Sequence, residues 1–199
     1  PLTKPSTVLG PVMKLPPDTT LPQLPYDTLK ARSLLDSLGW VAGPDGTRSK
    51  NGQRLAFAIS VPSSSAFRNQ YAVLLQDAFR RVGAAVAVDK VDYATFLVKQ
   101  NGRTFDAEMN NYAMDPSPSG FKQTWTTAGI TTGGSNFSAY SNPSVDALID
   151  SAAATFDPAR TRAYARRAFE QIIEDAPGIW LYEPLSIAGI HKRIRTTGV

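Results

Sequence analysis

The sequence predicts an α/β protein, in which helices alternate with strands of a largely parallel sheet. Between residues 55 and 91 an alternating apolar strand, a long amphipathic helix and a valine-rich strand follow one another. This order favours parallel strands joined by a right-handed crossover. A later strand, beginning at Phe105, runs into a proline-rich loop at residues 115–120. That loop would follow a buried strand, which is where ligands of open α/β sheets usually bind.

Composition places the chain among globular domains. It has 199 residues, 42% of them hydrophobic and 19% charged, with a net charge of +4. This length is enough for one good-sized core, and no apolar run approaches the roughly 18 residues of a membrane helix. The basic clusters, Arg166-Arg167 and residues 191–195, have no interleaved aromatic residues. A nucleic acid partner is therefore not expected.

The chain begins with a proline-rich segment. Residues 1–26 contain seven prolines but also apolar side chains, so we expect an extended segment packed on the surface of a single domain formed by residues 27–199. Asp27 is the predicted N-cap of the first helix, and Gly39 ends it. The predicted buried positions of this helix are Ala31, Leu34, Leu35 and Leu38.

Turn signals then frame the central unit. Gly43–Gly46 and Asn51-Gly52 predict a hairpin that leads into a strand containing Leu55, Phe57, Ile59 and Val61. Ser63–Ser65 would start the long helix, and Gly83 would end it. The predicted inward positions of that helix are Tyr71, Leu74, Leu75, Ala78, Phe79 and Val82, followed by a strand with Val86, Val88 and Val91 and a short helix capped by Asp92 that carries Phe96 and Leu97.

The second half of the chain is predicted as a strand, loops and helices. Alternation predicts a strand over Phe105–Tyr112, a helical turn or two over Phe121–Thr127 and flexible backbone over the glycine-rich residues 126–135. This flexibility would let Asn136, Phe137 and Tyr140 approach the strand-end loop. Asn142-Pro143 and Asp157-Pro158 predict two further helix starts. The apolar stripes are Val145, Leu148, Ile149, Ala152 and Phe156, then Tyr164, Ala168, Phe169, Ile172 and Ile173, before closing strands with Ile179, Leu181, Leu185 and Ile187.

The inventory of reactive side chains argues against an enzyme. There is no cysteine, and the one histidine, His191, lies in a basic tail without a Gly-x-Ser-x-Gly motif. Asp106 and Glu108 share one strand face, where we expect them to face solvent. No cofactor and no metal are expected. The remaining polar and aromatic residues are suited to holding a ligand, and the predicted ligand-binding residues are Asn110, Asn111, Tyr112, Ala113, Met114, Asp115, Trp125, Asn136, Phe137 and Tyr140.

Several of these stretches together resemble a known family. The sequence resembles the C-terminal lobe of bacterial extracellular solute-binding proteins of the dipeptide and oligopeptide class (family 5), which deliver ligands to ABC importers. The resemblance extends over residues 8–190 and rests on the order and spacing of Tyr26-Asp27, Gly39-Trp40, Asp45-Gly46, Asn51-Gly52, Gln70 to Gly83, Phe105-Asp106, Asp115-Pro116, and Asn136 through Tyr140 and Asn142-Pro143 to Asp146 and Leu148-Ile149.

The resemblance implies one lobe of a periplasmic-binding-protein type II clamshell, with a mixed sheet flanked by helices. The implied function is capture of a small peptide-like or related polar solute between two lobes and its delivery to an ABC permease in the membrane. A monomer is implied, periplasmic or extracellular, with a lipid anchor as one form. The chain has no initiating methionine, and the first lobe and signal peptide of such a protein would precede it.

One position departs from the family pattern. Peptide binders of this family carry an aspartate four residues before the loop proline, where it pairs with the free amino group of the peptide. Here that position is Tyr112, and Asp115 matches the acid beside Pro116. A tyrosine supplies no charge near neutral pH. Sugars, opines and metal chelates therefore remain alternatives to an α-amino peptide, and a ligand-sensing or protein-interaction domain remains the alternative to transport.

Overall fold

The computed structural model describes residues 21, 22, 24–111, 117–131, 133–181 and 193. These residues form helices and short strands in the alternating order of the α/β class, which confirms the predicted class. The elements are α1 (Thr28–Ser37), β1 (Val41–Ala42), β2 (Arg48–Lys50), β3 (Gln53–Arg54), β4 (Ala56–Pro62), α2 (Ala66–Arg80), β5 (Ala85–Val91), α3 (Tyr93–Gly102), β6 (Ala107–Glu108), α4 (Pro118–Trp125), a 3₁₀ turn (Thr127–Gly129), α5 (Pro143–Ala154) and α6 (Pro158–Asp175).

A parallel sheet with strand order β5-β4-β6 confirms the predicted strand–helix–strand unit. The β4–β5 register runs from Ala56 opposite Ala85 to Pro62 opposite Val91, and β6 pairs with β4 on its other side. Alternate residues of β4, among them Ile59 and Val61, enter an apolar cluster that also contains residues of α2. Because all three strands run the same way, their carboxyl ends lie along one edge of the sheet.

The predicted hairpin is an antiparallel meander of three strands, β1-β2-β3. The two kinds of strand pairing thus lie in two separate sheets. Arg48 of β2 is buried and joins the meander to its neighbours. Its Nη1 donates to Asp36 Oδ1 and to the Trp40 carbonyl, both at 2.5 Å, and its Nε donates to the Val82 carbonyl at 3.0 Å. One side chain therefore donates hydrogen bonds to acceptors at the C-terminal ends of both α1 and α2.

We expect Arg48→Leu to destabilise the protein by about 2 kcal/mol, because two carbonyls and a carboxylate lose their donor. Arg54→Leu is the matched control. Its ion pair with Asp45 is more than half exposed on both sides, so its loss should cost no more than about 0.5 kcal/mol. Urea unfolding of the two variants measures the difference, and equal midpoints would contradict a structural role for Arg48.

A second cluster lies between α4, α5 and α6. Phe121 and Phe169 meet edge to face with ring centroids 5.1 Å apart, and Leu21 is buried in the same cluster. The predicted caps are confirmed, since Asn142 accepts from Ser144 N at 2.9 Å and Asp157 accepts from Ala159 N at 2.8 Å. No helix in the described parts of the chain is both long and apolar enough to cross a membrane.

Several predicted burials are wrong. Leu34 and Leu38 of α1 are more than half exposed, because α1 contacts the domain through polar groups, such as Arg32 donating to the Arg81 carbonyl. In α2, Leu74 is exposed and Ala72 is the buried residue. Phe156 is fully exposed because α5 ends at Ala154 and Thr155 is extended.

The strand predicted over Phe105–Tyr112 is shorter than expected. Strand pairing begins only at Ala107, because the Asp106 carboxylate takes the Ala58 N–H at 2.9 Å. It ends soon after, with Met109 N donating to the Ser60 carbonyl at 3.1 Å. Helix α4 starts earlier than predicted, at Pro118, capped by Ser117. Ile179 and Leu181 are not in strands, and Leu185, Ile187, His191 and residues 1–20 lie outside the described residues.

Candidate ligand-binding edge of the parallel sheet

The carboxyl edge of the parallel sheet is the first candidate site. Ser63 follows β4 and donates its N–H to the Val91 carbonyl at 2.7 Å. Helices α2 and α3 begin at this edge, capped by Ser65 and Asp92. Asn110 follows β6, so it reaches the same edge. The strand order thus brings three chain turns and two helix starts together.

Asn110 and Asn111 lie at this edge as predicted from the order of elements. Asn110 is partly buried, and its Oδ1 accepts the N–H of Asn111 at 2.8 Å, whereas Asn111 is exposed. Polar groups of both residues can therefore meet a ligand. The four residues predicted to continue the site, Tyr112, Ala113, Met114 and Asp115, lie outside the described residues.

Glu108 is partly buried, whereas the sequence predicted that it faces solvent. Its Oε1 accepts from Gln100 Nε2 at 2.9 Å, and burial raises the pKa of its carboxyl, although the Gln100 hydrogen bond and the charge of Arg68 oppose the shift. The cause is α3, which covers this face of the sheet with Gln100 and Phe96, both buried. An isolated edge strand would have left the carboxylate in water.

We expect Glu108→Gln to gain stability relative to the unsubstituted protein as the pH rises from 4 to 7. The folded pKa lies above the usual 4.5, so the folded state binds the proton more tightly and loses stability as the pH rises through that window. The glutamine side chain does not titrate, so the variant does not lose stability in this way. Urea unfolding at pH 4 and pH 7 measures the difference in unfolding free energy between the two proteins. The same difference at both pH values would refute the prediction.

Asp92→Asn is a control of opposite sign. Hydrogen bonds from Thr95 lower the pKa of Asp92 below the usual 3.8. The stabilisation by Asp92 is therefore present above that value and lost as the pH falls through the folded pKa. The asparagine variant should lose stability relative to the unsubstituted protein as the pH rises from 2.5 to 5.

Asn136 organises the loop between α4 and α5. Its side chain is buried and makes four hydrogen bonds: Nδ2 donates to the carbonyls of Thr126 (2.9 Å) and Tyr140 (2.8 Å), and Oδ1 accepts from Ser138 Oγ (3.2 Å) and Tyr140 N (3.1 Å). These contacts use the hydrogen-bonding capacity of the amide. The geometry therefore gives Asn136 a role in holding the loop.

The glycine-rich residues of this loop are closely packed, contrary to the predicted flexible backbone. A Cβ on Gly129 would lie 2.2 Å from the Gln123 carbonyl oxygen, and one on Gly134 would lie 2.1 Å from the Gly129 carbonyl oxygen. These glycines allow backbone segments to touch. They serve close packing and not mobility.

Tyr140 and Phe137 complete the same loop. The Tyr140 hydroxyl donates to Asp175 Oδ2 at 2.5 Å, and Asp175 also accepts from Asn142 and Gln171. Burial, together with this bond, raises the pKa of Tyr140, while the bond lowers the pKa of Asp175. Phe137 is partly buried. The Tyr140 hydroxyl thus ties the loop to the end of α6.

Trp125 lies in the helical cluster, 9% exposed, with its ring centroid 5.8 Å from that of Trp180. Its Nε1 is buried and has no hydrogen-bond partner among the residues that the structure describes. The predicted site residues therefore fall into two groups. Arg103, which precedes β6, donates to the Asn136 carbonyl at 3.2 Å, whereas Asn110 follows β6. The described contacts anchor the loop near the start of that strand and leave Asn110 at its end.

Sequence reasoning missed two residues of the sheet edge. Asn69 Nδ2 donates to the carbonyls of Pro62 (3.1 Å) and Ser65 (2.6 Å), which secures the turn from β4 into α2. Its Oδ1 is buried, and no described residue donates a hydrogen bond to it. Arg68 lies beside it in the first turn of α2. The sequence feature that could have identified these two residues was their position directly after the predicted Ser65 cap, at the carboxyl end of a buried strand.

Other candidate sites have less support. A surface pocket of about 360 Å³ lies where α5 leads into α6, and it contains none of the predicted site residues. No group of three or more histidine, cysteine or acidic residues in the described part of the chain is placed to hold a metal ion. The sheet edge therefore remains the best-supported candidate.

Comparison with known protein families decides the class. The family model described as "Bacterial extracellular solute-binding proteins, family 5 Middle" matches residues 3–133. The chain belongs to this family. The oligopeptide-binding protein AppA of Bacillus subtilis (strain 168) is 24% identical over 175 residues, which is 85% of this chain and 31% of AppA. Proteins of this family are extracellular solute-binding proteins.

Solved structures agree on the fold of this family 5 chain. The AppA structure, in complex with a nonapeptide, superimposes with a TM-score of 0.78 at 24% identity, over 85% of this chain and 34% of AppA. NikZ from Campylobacter jejuni, in complex with Ni(L-His), has a TM-score of 0.70 at 26% identity, over 78% of this chain and 31% of NikZ. The chain thus spans about a third of the length of these relatives.

Proposed function

We propose that residues 27–199 form one ligand-binding lobe of the substrate-binding component of an ABC uptake transporter, with residues 1–26 packed on it. The family match over residues 3–133 carries the proposal, and the buried side chain of Leu21 supports the packing of the first segment. The protein would act in the periplasm or outside the cell, as a monomer, and deliver its solute to a membrane permease.

The bound solute would lie against the carboxyl edge of the parallel sheet, with Asn110 and Asn111 among its contacts. This edge supports the proposal because polar groups from three chain turns meet there. More than one solute class remains open: AppA was solved with a nonapeptide and NikZ with Ni(L-His). Tyr112, which supplies no charge where the resemblance places an amine-binding acid, favours a solute that does not depend on an α-amino group.

Native mass spectrometry of the complete gene product tests this function. We expect a small solute that leaves with the protein under native conditions and is released on denaturation. If a permease and an ATPase are encoded beside the gene, reconstitution with them should then show solute-dependent ATP hydrolysis. A bound solute without such coupling would favour a sensing domain, and the absence of any solute together with a neighbouring signalling gene would reject the transport role.

We expect residues 1–199 alone to bind the same solute weakly, because a clamshell site shares its contacts between two lobes. Isothermal titration calorimetry with the solute identified by native mass spectrometry measures this. The complete gene product is the control. Equal affinity of the two proteins would show that one lobe suffices and would contradict the two-lobed model of the site.

A further inference from the structure

Glycine directly follows asparagine or aspartate at Asp45-Gly46, Asn51-Gly52 and Asn101-Gly102. At such a pair the backbone nitrogen of the glycine can attack the side-chain carbonyl carbon of the preceding residue and close a five-membered ring. Glycine favours this step because it has no side chain to obstruct the attack. The sequence alone does not rank the three pairs, but their surroundings in the fold differ.

Asn51-Gly52 forms the exposed turn between β2 and β3. Lys50 pairs with Gln53 across it, and Asn51 and Gly52 have positive φ angles of 52° and 78°, as in a two-residue hairpin turn of type I′. In the described chain, the Gly52 N–H and the Asn51 side chain form no hydrogen bond, and no atom lies within 4 Å of a Cβ built at Gly52. Both reacting groups are therefore accessible, and no packed neighbour at Gly52 resists the backbone rotation that brings them together.

Asn101-Gly102 is held by helix α3, in which Gly102 is the last residue. An N–H in the last turn of a helix donates to the carbonyl four residues before it. The Arg103 N–H also donates to the Gln100 carbonyl, at 3.1 Å. The Gly102 nitrogen must therefore leave the helix before it can attack, and the free energy of this local opening slows the reaction.

Asp45-Gly46 is protected by the hydrogen bonds of its side chain. Asp45 Oδ2 accepts from Arg54 Nη2 at 2.5 Å, and Oδ1 accepts from Thr47 N at 3.0 Å. The bond from Arg54, and then that from Thr47, lowers the pKa of the Asp45 carboxyl. The carboxyl thus stays ionised, and a carboxylate is a poorer target for a nitrogen nucleophile than an uncharged amide.

We propose that Asn51 is a site of spontaneous deamidation. The Gly52 nitrogen forms a bond to Asn51 Cγ and gives up its proton, and the side-chain amide nitrogen leaves as ammonia, which produces a cyclic succinimide. Water then adds to one of the two ring carbonyls and opens the ring, so position 51 becomes aspartate or isoaspartate. Either product replaces a neutral amide with a carboxylate and lowers the net charge of +4 by one unit.

The modified turn lies apart from the proposed solute contacts. Strands β2 and β3 belong to the antiparallel meander, whereas those contacts lie at the carboxyl edge of the other sheet. Isoaspartate adds a methylene group to the main chain, and the length of a two-residue turn fixes the register of its strands. We expect the isoaspartate form to unfold at a lower urea concentration than the Asn51→Asp protein, which has the same charge and an unaltered main chain. Equal midpoints would contradict this consequence.

The test follows the complete gene product during incubation at mildly alkaline pH. Peptide mapping by mass spectrometry, with fragmentation that distinguishes isoaspartate from aspartate, gives the rate of conversion at each of the three pairs. We expect residue 51 to be converted at least about tenfold faster than residue 101, because only residue 101 requires opening of a helix. The product should also incorporate heavy oxygen from labelled water.

Incubation in urea is the matched control, because Asn51 and Asn101 follow similar residues, Lys50 and Gln100, and should react at similar rates in the unfolded chain. Asn51→Gln should abolish conversion at position 51, since glutamine would have to form a larger ring, and it should leave residue 101 unchanged. Equal rates at residues 51 and 101 in the folded protein, or conversion of residue 51 only after unfolding, would overturn the assignment of this site.

Discussion

Gly129→Ala is expected to destabilise the protein by more than about 3 kcal/mol, because the new methyl group has no space. A Cβ at this position would lie 2.2 Å from the Gln123 carbonyl oxygen and 3.2 Å from the Asn136 side chain. The nearest obstacle is backbone, which cannot rotate away as a side chain would. Relief would require α4 and the loop to separate. Urea unfolding followed by circular dichroism measures the loss.

Gly178→Ala is the control for the same chemical change. No atom of the described residues lies within 4 Å of a Cβ built at Gly178, and its backbone is not in the left-handed region. This variant should unfold within about 0.5 kcal/mol of the unsubstituted protein. Gly134→Ala should resemble Gly129→Ala, because its Cβ would lie 2.1 Å from the Gly129 carbonyl oxygen. A loop that tolerates both changes would be flexible, as the sequence alone had indicated.

Asn136→Ala is expected to cost about 3 kcal/mol, because it leaves buried backbone groups without partners. The side chain, 1% exposed, satisfies the carbonyls of Thr126 and Tyr140 and the N–H of Tyr140. Water has little access to replace these bonds. The unfolding free energy in urea is the measurement.

Asn101→Ala provides the comparison, since Asn101 is exposed on α3. The unfolding free energy of this variant should be close to that of the unsubstituted protein, because alanine is the better helix former and no buried contact is lost. A second measurement separates structure from binding. If Asn136 acts through the loop, solute affinity of the folded Asn136→Ala protein should stay within a few fold of normal, whereas loss of binding without loss of stability would restore Asn136 as a direct ligand contact.

These expectations assign different tasks to two parts of the chain. The loop from Thr126 to Tyr140 is a packed frame between α4, α5 and α6, held by Asn136 and by close contacts at Gly129. The carboxyl edge of the parallel sheet, with Asn110 and Arg68, is the part that we propose lies against the solute. The sequence had grouped residues of both parts into one site.

The strand–helix–strand unit and the helix caps were predictable because their signals are local. Alternation in β4, helical spacing in α2 and a capping side chain at Ser65 act over a few residues of chain. The structure confirms Asp27, Asp92, Asn142 and Asp157 as N-caps for the same reason. Family membership was also accessible from the sequence, since the order of motifs survives where single motifs are weak.

The errors have a common physical cause, which is that burial depends on distant parts of the chain. The periodicity of α1 predicted a buried stripe, yet Leu34 remains exposed where no element of the described fold covers it. Glu108 was placed in solvent because its strand neighbours are polar, but α3 supplies Gln100 and Phe96 above it. Neither outcome is encoded within a few residues of the side chain concerned.

The sequence by itself determined the α/β class, the parallel unit over residues 55–91, the helix starts and the family, because local chain chemistry and motif order suffice for these. Only the tertiary structure decided that the glycines at 129 and 134 are packing contacts, that Asn136 holds a loop, and that Arg68 lies over the Phe96 ring. Each of these depends on atoms that come together through strand order and helix packing. The position of the guanidinium at the sheet edge is thus a property of the fold.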